Sequence, residues 1–148
     1  MQPQPIAPDA KKILVVDDNC VILRAMTNIL SGKGYRVSVA ESGAETITLL
    51  RKDKPDLILM DLDFPLEAIN IAGALRDGFI IIDWARRMCH AENIPVIIIS
   101  STDPDVYMER AHAAGILTLF KKPVDHGQLL EAIHSVLGEG RLAASASA

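Results

Sequence analysis

Five short apolar runs, ILVV (13–16), RVSVA (36–40), DLILM (56–60), PVIIIS (95–100) and LTLF (117–120), alternate along the chain with segments of helical periodicity. No other property narrows its architecture so far. Strands that are apolar at successive positions bury both faces; interleaved with helices, they form a parallel sheet covered on two sides and joined by right-handed crossovers. Residues 20–31 place Ile22, Met26, Ile29 and Leu30 at helical spacing, and Gly32 and Gly34 stop that helix. Ser42 and Glu45 make a capping box for a helix carrying Ala44, Ile47 and Leu50. A third helix is expected from about Gly78 to His90, a fourth has Pro104 in its first turn behind Asp103, and a fifth runs from about Asp125 to Leu137.

In such sheets ligands sit beyond the carboxyl ends of the strands, where strand order reverses. The polar residues of this chain collect there: Asp17-Asp18 after the first strand, Asp61 and Asp63 after the third, Ser100-Ser101 after the fourth, and Lys121-Lys122-Pro123 after the fifth. Acids brought together at a partly desolvated edge raise one another's pKa unless a cation holds them. Mg²⁺ suits that set, because it prefers oxygen ligands and shares its octahedron among one or two carboxylates, water and phosphate oxygens. A carboxylate so held can attack a phosphoryl group, and a lysine opposite balances charge on the transferred oxygens. Beside the carboxylates of Asp17, Asp18 and Asp61, the last within LILMDLDFP (57–65), Lys122 is the candidate point charge and Ser100 a hydroxyl donor.

Taken singly, these residues admit plainer duties. Asp17-Asp18 before a helix serve as N-caps as readily as metal ligands, serine is common at strand ends, and one lysine is ordinary surface. The conjunction carries the chemistry. His90, His112, His126 and His134 show no ligand spacing and read as solvated helix residues, while Trp84 and Met88, one turn apart, read as core.

With 148 residues, 49% of them hydrophobic and 23% charged, the chain has material for one core and is expected to be a single domain. A net charge of −4 without a basic stripe argues against direct nucleic-acid binding. The apolar runs fall far short of the ~20 residues of a membrane helix. MQPQPIAPDAKK at the start lacks the apolar stretch of a signal peptide, so a cytoplasmic location without a membrane partner is expected. Cys20 and Cys89 make no disulfide or metal pattern, and each reads as a small buried apolar residue. Residues 1–11 read as a disordered N-terminal tail and 139–148 as a flexible C-terminal tail, around a domain at 12–138.

Over roughly residues 12–138 the chain resembles the receiver domains of two-component response regulators. Four elements in order carry the resemblance: VVDD (15–18), the Asp61 to Pro65 segment, PVIIIS (95–100) and KKP (121–123). It implies a flavodoxin-like, doubly wound α/β fold whose five-stranded parallel sheet has the order 2-1-3-4-5, with helices on both faces. It implies that Asp61 is the site of phosphorylation, that Asp18 and Asp61 bind Mg²⁺ with help from the Asp63 backbone carbonyl, and that Asp17 supports the metal through water. Ser100 takes the hydroxyl switch position and Lys122 that of the phosphate-binding lysine, with Pro123 after a cis peptide. The implied partners are a histidine kinase or phosphotransfer domain as donor and a downstream protein target. The surface of the fourth helix, fifth strand and fifth helix is the one that changes, and it is also the implied homodimer face. Such a domain is a signalling module rather than an enzyme; it catalyses only its own Mg²⁺-dependent phosphorylation and dephosphorylation.

The chain departs from the family pattern in three places. LEAINIAGALR separates Pro65 from Asp77-Gly78, so residues 66–76 form an inserted loop between the third strand and third helix, about nine residues longer than the usual turn; such a loop either controls access or is a tolerated surface insertion. Leu119 stands where the family commonly has Tyr or Phe, and the adjacent Phe120 faces the other way, so output is expected to depend on Ser100, the fourth helix and the inserted loop. Asp63 adds negative charge at the entrance, either repelling phosphodonor anions or orienting a hydrolytic water.

Two other readings compete. A haloacid-dehalogenase-like phosphatase would use Asp61 as nucleophile and Asp63 as general acid/base, but the acidic pair here precedes Asp61 where that family places it after the lysine, and no cap domain fits. A receiver-like interaction module that is never phosphorylated is favoured by the insertion and Leu119 and opposed by the complete acidic set.

Overall fold

The computed structural model describes residues 10–61, 82–83, 86–87, 93–101, 104–113 and 115–138. Among them are five strands, β1 (Lys12–Val16), β2 (Arg36–Ala40), β3 (Leu57–Asp61), β4 (Val96–Ser100) and β5 (Thr118–Lys121), and four complete helices, α1 (Cys20–Gly32), α2 (Gly43–Lys52), α3 (Pro104–Ala113) and α4 (His126–Leu137). The strands pair in parallel in the order β2-β1-β3-β4-β5, as the sequence reading expects. Residues 82, 83, 86 and 87 are helical and fall inside the helix expected over 78–90, whose remaining residues, Trp84, Met88, Cys89 and His90 included, lie outside the described residues. The inserted loop at 66–76 and Asp63 lie outside them as well.

Period-2 alternation splits the core into two layers. Leu14, Val16, Ile58, Met60 and Ile98 pack on one side with Leu50 of α2, Ile82 and Ala111 of α3. Ile13, Val15, Leu57, Leu59, Ile97 and Ile99 pack on the other with Leu23, Met26 and Leu30 of α1 and Leu129 and Ile133 of α4. Each wholly buried Leu or Ile contributes ~1.5–3 kcal/mol of transfer free energy, so β3 and β4, buried at every position, anchor the sheet. Leu119 joins the first layer and Phe120 the second, the opposite facing that the strand period requires.

Helix ends follow local chemistry. α1 ends at Gly32 and Gly34 turns the chain out of it, as expected: Gly34 adopts φ 91°, the Tyr35 N–H donates to the Leu30 carbonyl at 3.1 Å, and the Gly34 N–H to Ser31 at 3.0 Å, a Schellman motif sealed by buried Tyr35 and Leu30. The capping box of α2 forms in altered shape. The Glu45 N–H donates to Ser42 Oγ at 3.1 Å, but the Glu45 carboxylate reaches back to the N–H of Glu41 at 2.8 Å instead of that of Ser42. Ala44, expected on the buried face of α2, is exposed, and Thr46 is wholly buried in its stead, its hydroxyl donating to the Ser42 carbonyl at 2.9 Å. Residues 10 and 11 already belong to the described fold. Ala10 is buried and the Lys11 carbonyl accepts from Arg36 at 2.9 Å, so the tail expected over 1–11 is shorter at its inner end.

Candidate functional site

Four strand ends converge at the carboxyl edge of the sheet. β1 delivers Asp17 and Asp18: the Asp17 N–H still donates to Ala40 of β2 at 3.1 Å, which fixes the backbone as it leaves the strand. β3 delivers Asp61 as its last residue, in register with Ile99 of β4. Asp17, Asp18 and Asp61 each place a carboxylate oxygen within 4.8 Å of the other two; Asp17 and Asp61 are buried and Asp18 is exposed. From the end of β5, Lys122 places Nζ 3.0 Å from Asp61 Oδ1. Its own N–H donates to the Ser100 carbonyl at 2.8 Å, tying the lysine to the end of β4, and the Lys122–Pro123 peptide is cis, as expected. Ser100 itself is buried at the last position of β4.

The Asp pair does not cap α1. That duty falls to Asn19, whose side-chain oxygen accepts from the N–H groups of Val21 at 2.9 Å and Ile22 at 3.4 Å. Asn19 also donates its N–H to Asp17 Oδ1 at 2.9 Å and so orients that carboxylate. Sequence reasoning passed over Asn19, although an Asn directly before a helical pattern is a readable start signal. Cys20, expected to be buried, is exposed at the first residue of α1, a turn before the first buried position of that helix, Leu23. His112, His126 and His134 are exposed on their helices, as expected.

Burial lifts Asp17 from 3.8 to about 6. The neighbouring Asp61 adds to the rise through its charge and a hydrogen bond, while the Asn19 N–H and the Lys122 ammonium oppose it. Three hard oxygen donors without nitrogen or sulfur among them suit a divalent ion of the Mg²⁺ type, which would relieve this repulsion.

Comparison with known proteins identifies the family and the fold. The sequence model of the response regulator receiver domain matches residues 13–134. The chain is 34% identical over 129 residues to protein PilH of Pseudomonas aeruginosa, covering 85% of this chain and 97% of PilH. A CheY-like receiver domain from Methanospirillum hungatei superposes with a TM-score of 0.72 at 25% identity, over 86% of this chain and 93% of that one. The receiver domain of a Pseudomonas aeruginosa sensor histidine kinase, solved with a magnesium ion coordinated in its active site cleft, shares the fold with a TM-score of 0.70 at 23% identity, over 86% and 98% of the two chains. The phosphatase alternative is not favoured. A doubly wound sheet that gathers the acids of two strands and the lysine after a third at one edge, together with these matches, leads to one conclusion: the chain belongs to the response regulator receiver domains, the signalling modules of two-component systems.

Proposed function

We propose that Asp61 is the phosphoacceptor of this chain, taking a phosphoryl group from a histidine kinase or phosphotransfer domain. The observation that carries this reading is the Lys122 ammonium 3.0 Å from Asp61 Oδ1, beside the cluster Asp61 makes with Asp17 and Asp18. An Asp61 oxygen attacks phosphorus, the phosphorus–nitrogen bond to the donor imidazole breaks, and its electron pair returns to the ring nitrogen. Lys122 holds Asp61 in place and balances charge on the transferred oxygens. Asp17, Asp18 and Asp61, with the Asp63 carbonyl, are the residues to hold Mg²⁺, which when bound neutralises further charge at those oxygens. Asn19 keeps Asp17 oriented. The Ser100 hydroxyl, at the end of the neighbouring strand, is the donor for the phosphorylated state, which favours an alternative packing of the α3, β5 and α4 surface.

On this reading residues 12–138 are the receiver domain, 66–76 an insertion in it, and 139–148 a flexible tail. The downstream target is a protein that reads the α3, β5 and α4 surface, by which the domain also pairs with a second copy. Among the described residues no helix is long and apolar enough to cross a membrane, and we place the domain in the cytoplasm. The test is intact mass after incubation with acetyl phosphate and Mg²⁺. A gain of one phosphoryl group that is lost in Asp61→Asn is the expected result. Modification elsewhere, or none, refutes the assignment, and turnover of a generic phosphate ester would revive the phosphatase reading.

A further inference from the structure

A cavity of about 450 Å³ opens from the acidic cluster, and the proposed phosphoryl chemistry uses only its polar end. Leu59 and Ile99, on the adjacent strands β3 and β4, form its floor; Met26 and Ala25 of α1 form a wall, with Ala25 exposed at the mouth. At one end the lining turns polar, with Asp17, Asp61 and Lys122. A mostly apolar hollow within the ~300–1,000 Å³ range, with a few polar groups converging at one end, has the form of a small-molecule site.

Charge selects the occupant. Among the described residues Asp17, Asp61 and the adjoining Asp18 set three carboxylates against the Lys122 ammonium and the His126 imidazole, so the polar end favours a cation. An anionic head is repelled there, and a neutral head forgoes the attraction. The geometry points to a second ligand class for this molecule: a small amphiphilic amine, with an apolar body of about ten carbons seated between α1 and the sheet and its ammonium on the Asp17 and Asp61 carboxylates. The ammonium uses the oxygens proposed to hold the divalent ion, so the two cations exclude each other and the amine silences the phosphoacceptor. That regulatory consequence rests on the proposed function; occupancy of the cavity does not.

The full chain is titrated in metal-free buffer near neutral pH with 4-phenylbutylamine, with its uncharged counterpart 4-phenyl-1-butanol, with 4-phenylbutyrate and with methylammonium, and binding is followed by calorimetry and by amide chemical shifts. The phenylbutylamine is expected to bind at least about tenfold more tightly than each of the other three, and excess Mg²⁺ to weaken it at least about tenfold. Ala25→Trp fills the mouth and is expected to weaken the amine by a similar factor at an unchanged thermal midpoint; should that variant fail to fold, the four-compound comparison on the natural chain still decides. Equal binding of amine and alcohol, equal binding of phenylbutylamine and methylammonium, indifference to Mg²⁺, or no binding overturns the inference. Acetyl phosphate labelling without amine reports separately on Asp61. Normal labelling with no amine binding removes the cavity ligand alone, and amine binding without labelling removes the phosphoacceptor reading while leaving the cavity ligand standing.

Discussion

Replacing Asp17 by Asn is expected to stabilise the metal-free protein at neutral pH. The amide keeps the shape of the side chain and the oxygen that accepts the Asn19 N–H at 2.9 Å, and it removes a charge that burial and Asp61 disfavour. The sign follows from proton binding. The Asp17 pKa is raised from 3.8 to about 6 in the folded chain, so between those values the folded state holds more proton than the unfolded state, and stability falls as pH rises through that window. At ~1.4 kcal/mol per pH unit the ceiling is about 3 kcal/mol, and solvent reaching the cluster on the side of exposed Asp18 reduces this to about 1–3 kcal/mol. Asp17→Asn is therefore expected to match the natural protein near pH 4 and to exceed it by about 1–3 kcal/mol above pH ~6.5, a gain of roughly 3–10 °C in thermal midpoint. Urea unfolding followed by circular dichroism across this range, without divalent metal, measures it. A gap that does not change with pH, or a less stable variant at neutral pH, refutes the account of Asp17.

Excess Mg²⁺ is expected to stabilise the natural protein by ~1.4 kcal/mol at about ten times its dissociation constant, and Asp17→Asn and Asp61→Asn by less, as read by thermal melts. Lys122→Met is expected to slow acetyl phosphate labelling on the order of 10²-fold, the usual loss of one preorganised charge at a reacting group, as read by a mass time course. Asn19→Ala removes the cap of α1 and is expected to cost ~1 kcal/mol in urea unfolding. Leu59→Ala, at a position 1% exposed, is expected to cost about 2–5 kcal/mol in the same assay.

The strand runs and the acids at their ends were legible because a core strand has no packing reason to finish in a carboxylate; DLILM running into Asp61 therefore announced both the sheet and its reactive edge. Lys122 beside Asp61 was inferable only through the order of motifs, since the two lie far apart in sequence and meet across the sheet. Where side-chain type stood in for geometry, the reading slipped. Thr46 is buried because its hydroxyl finds the Ser42 carbonyl one turn back, which lets a polar residue occupy the face expected for Ala44. Cysteine is often buried, yet Cys20 stands at the very start of α1, before its first buried position, and is exposed. Asn19 is hidden in the sequence behind two acids of a type that also caps helices. The cavity beside Asp61 had no sequence signal, because an unfilled space depends on how α1 sits over the sheet, not on any one residue.

β5 is the least deeply covered strand of the sheet, and the end of that strand carries the lysine. Leu119 inserts into one layer and Phe120 into the other, while the Lys122 N–H hangs on the Ser100 carbonyl. A shift of charge at Asp61 that draws on the lysine therefore pulls a lever with one arm in each half of the molecule. On the proposed phosphoacceptor reading, phosphorylation of Asp61 is expected to be felt on both faces of the sheet, because close-packed layers step between arrangements instead of yielding gradually.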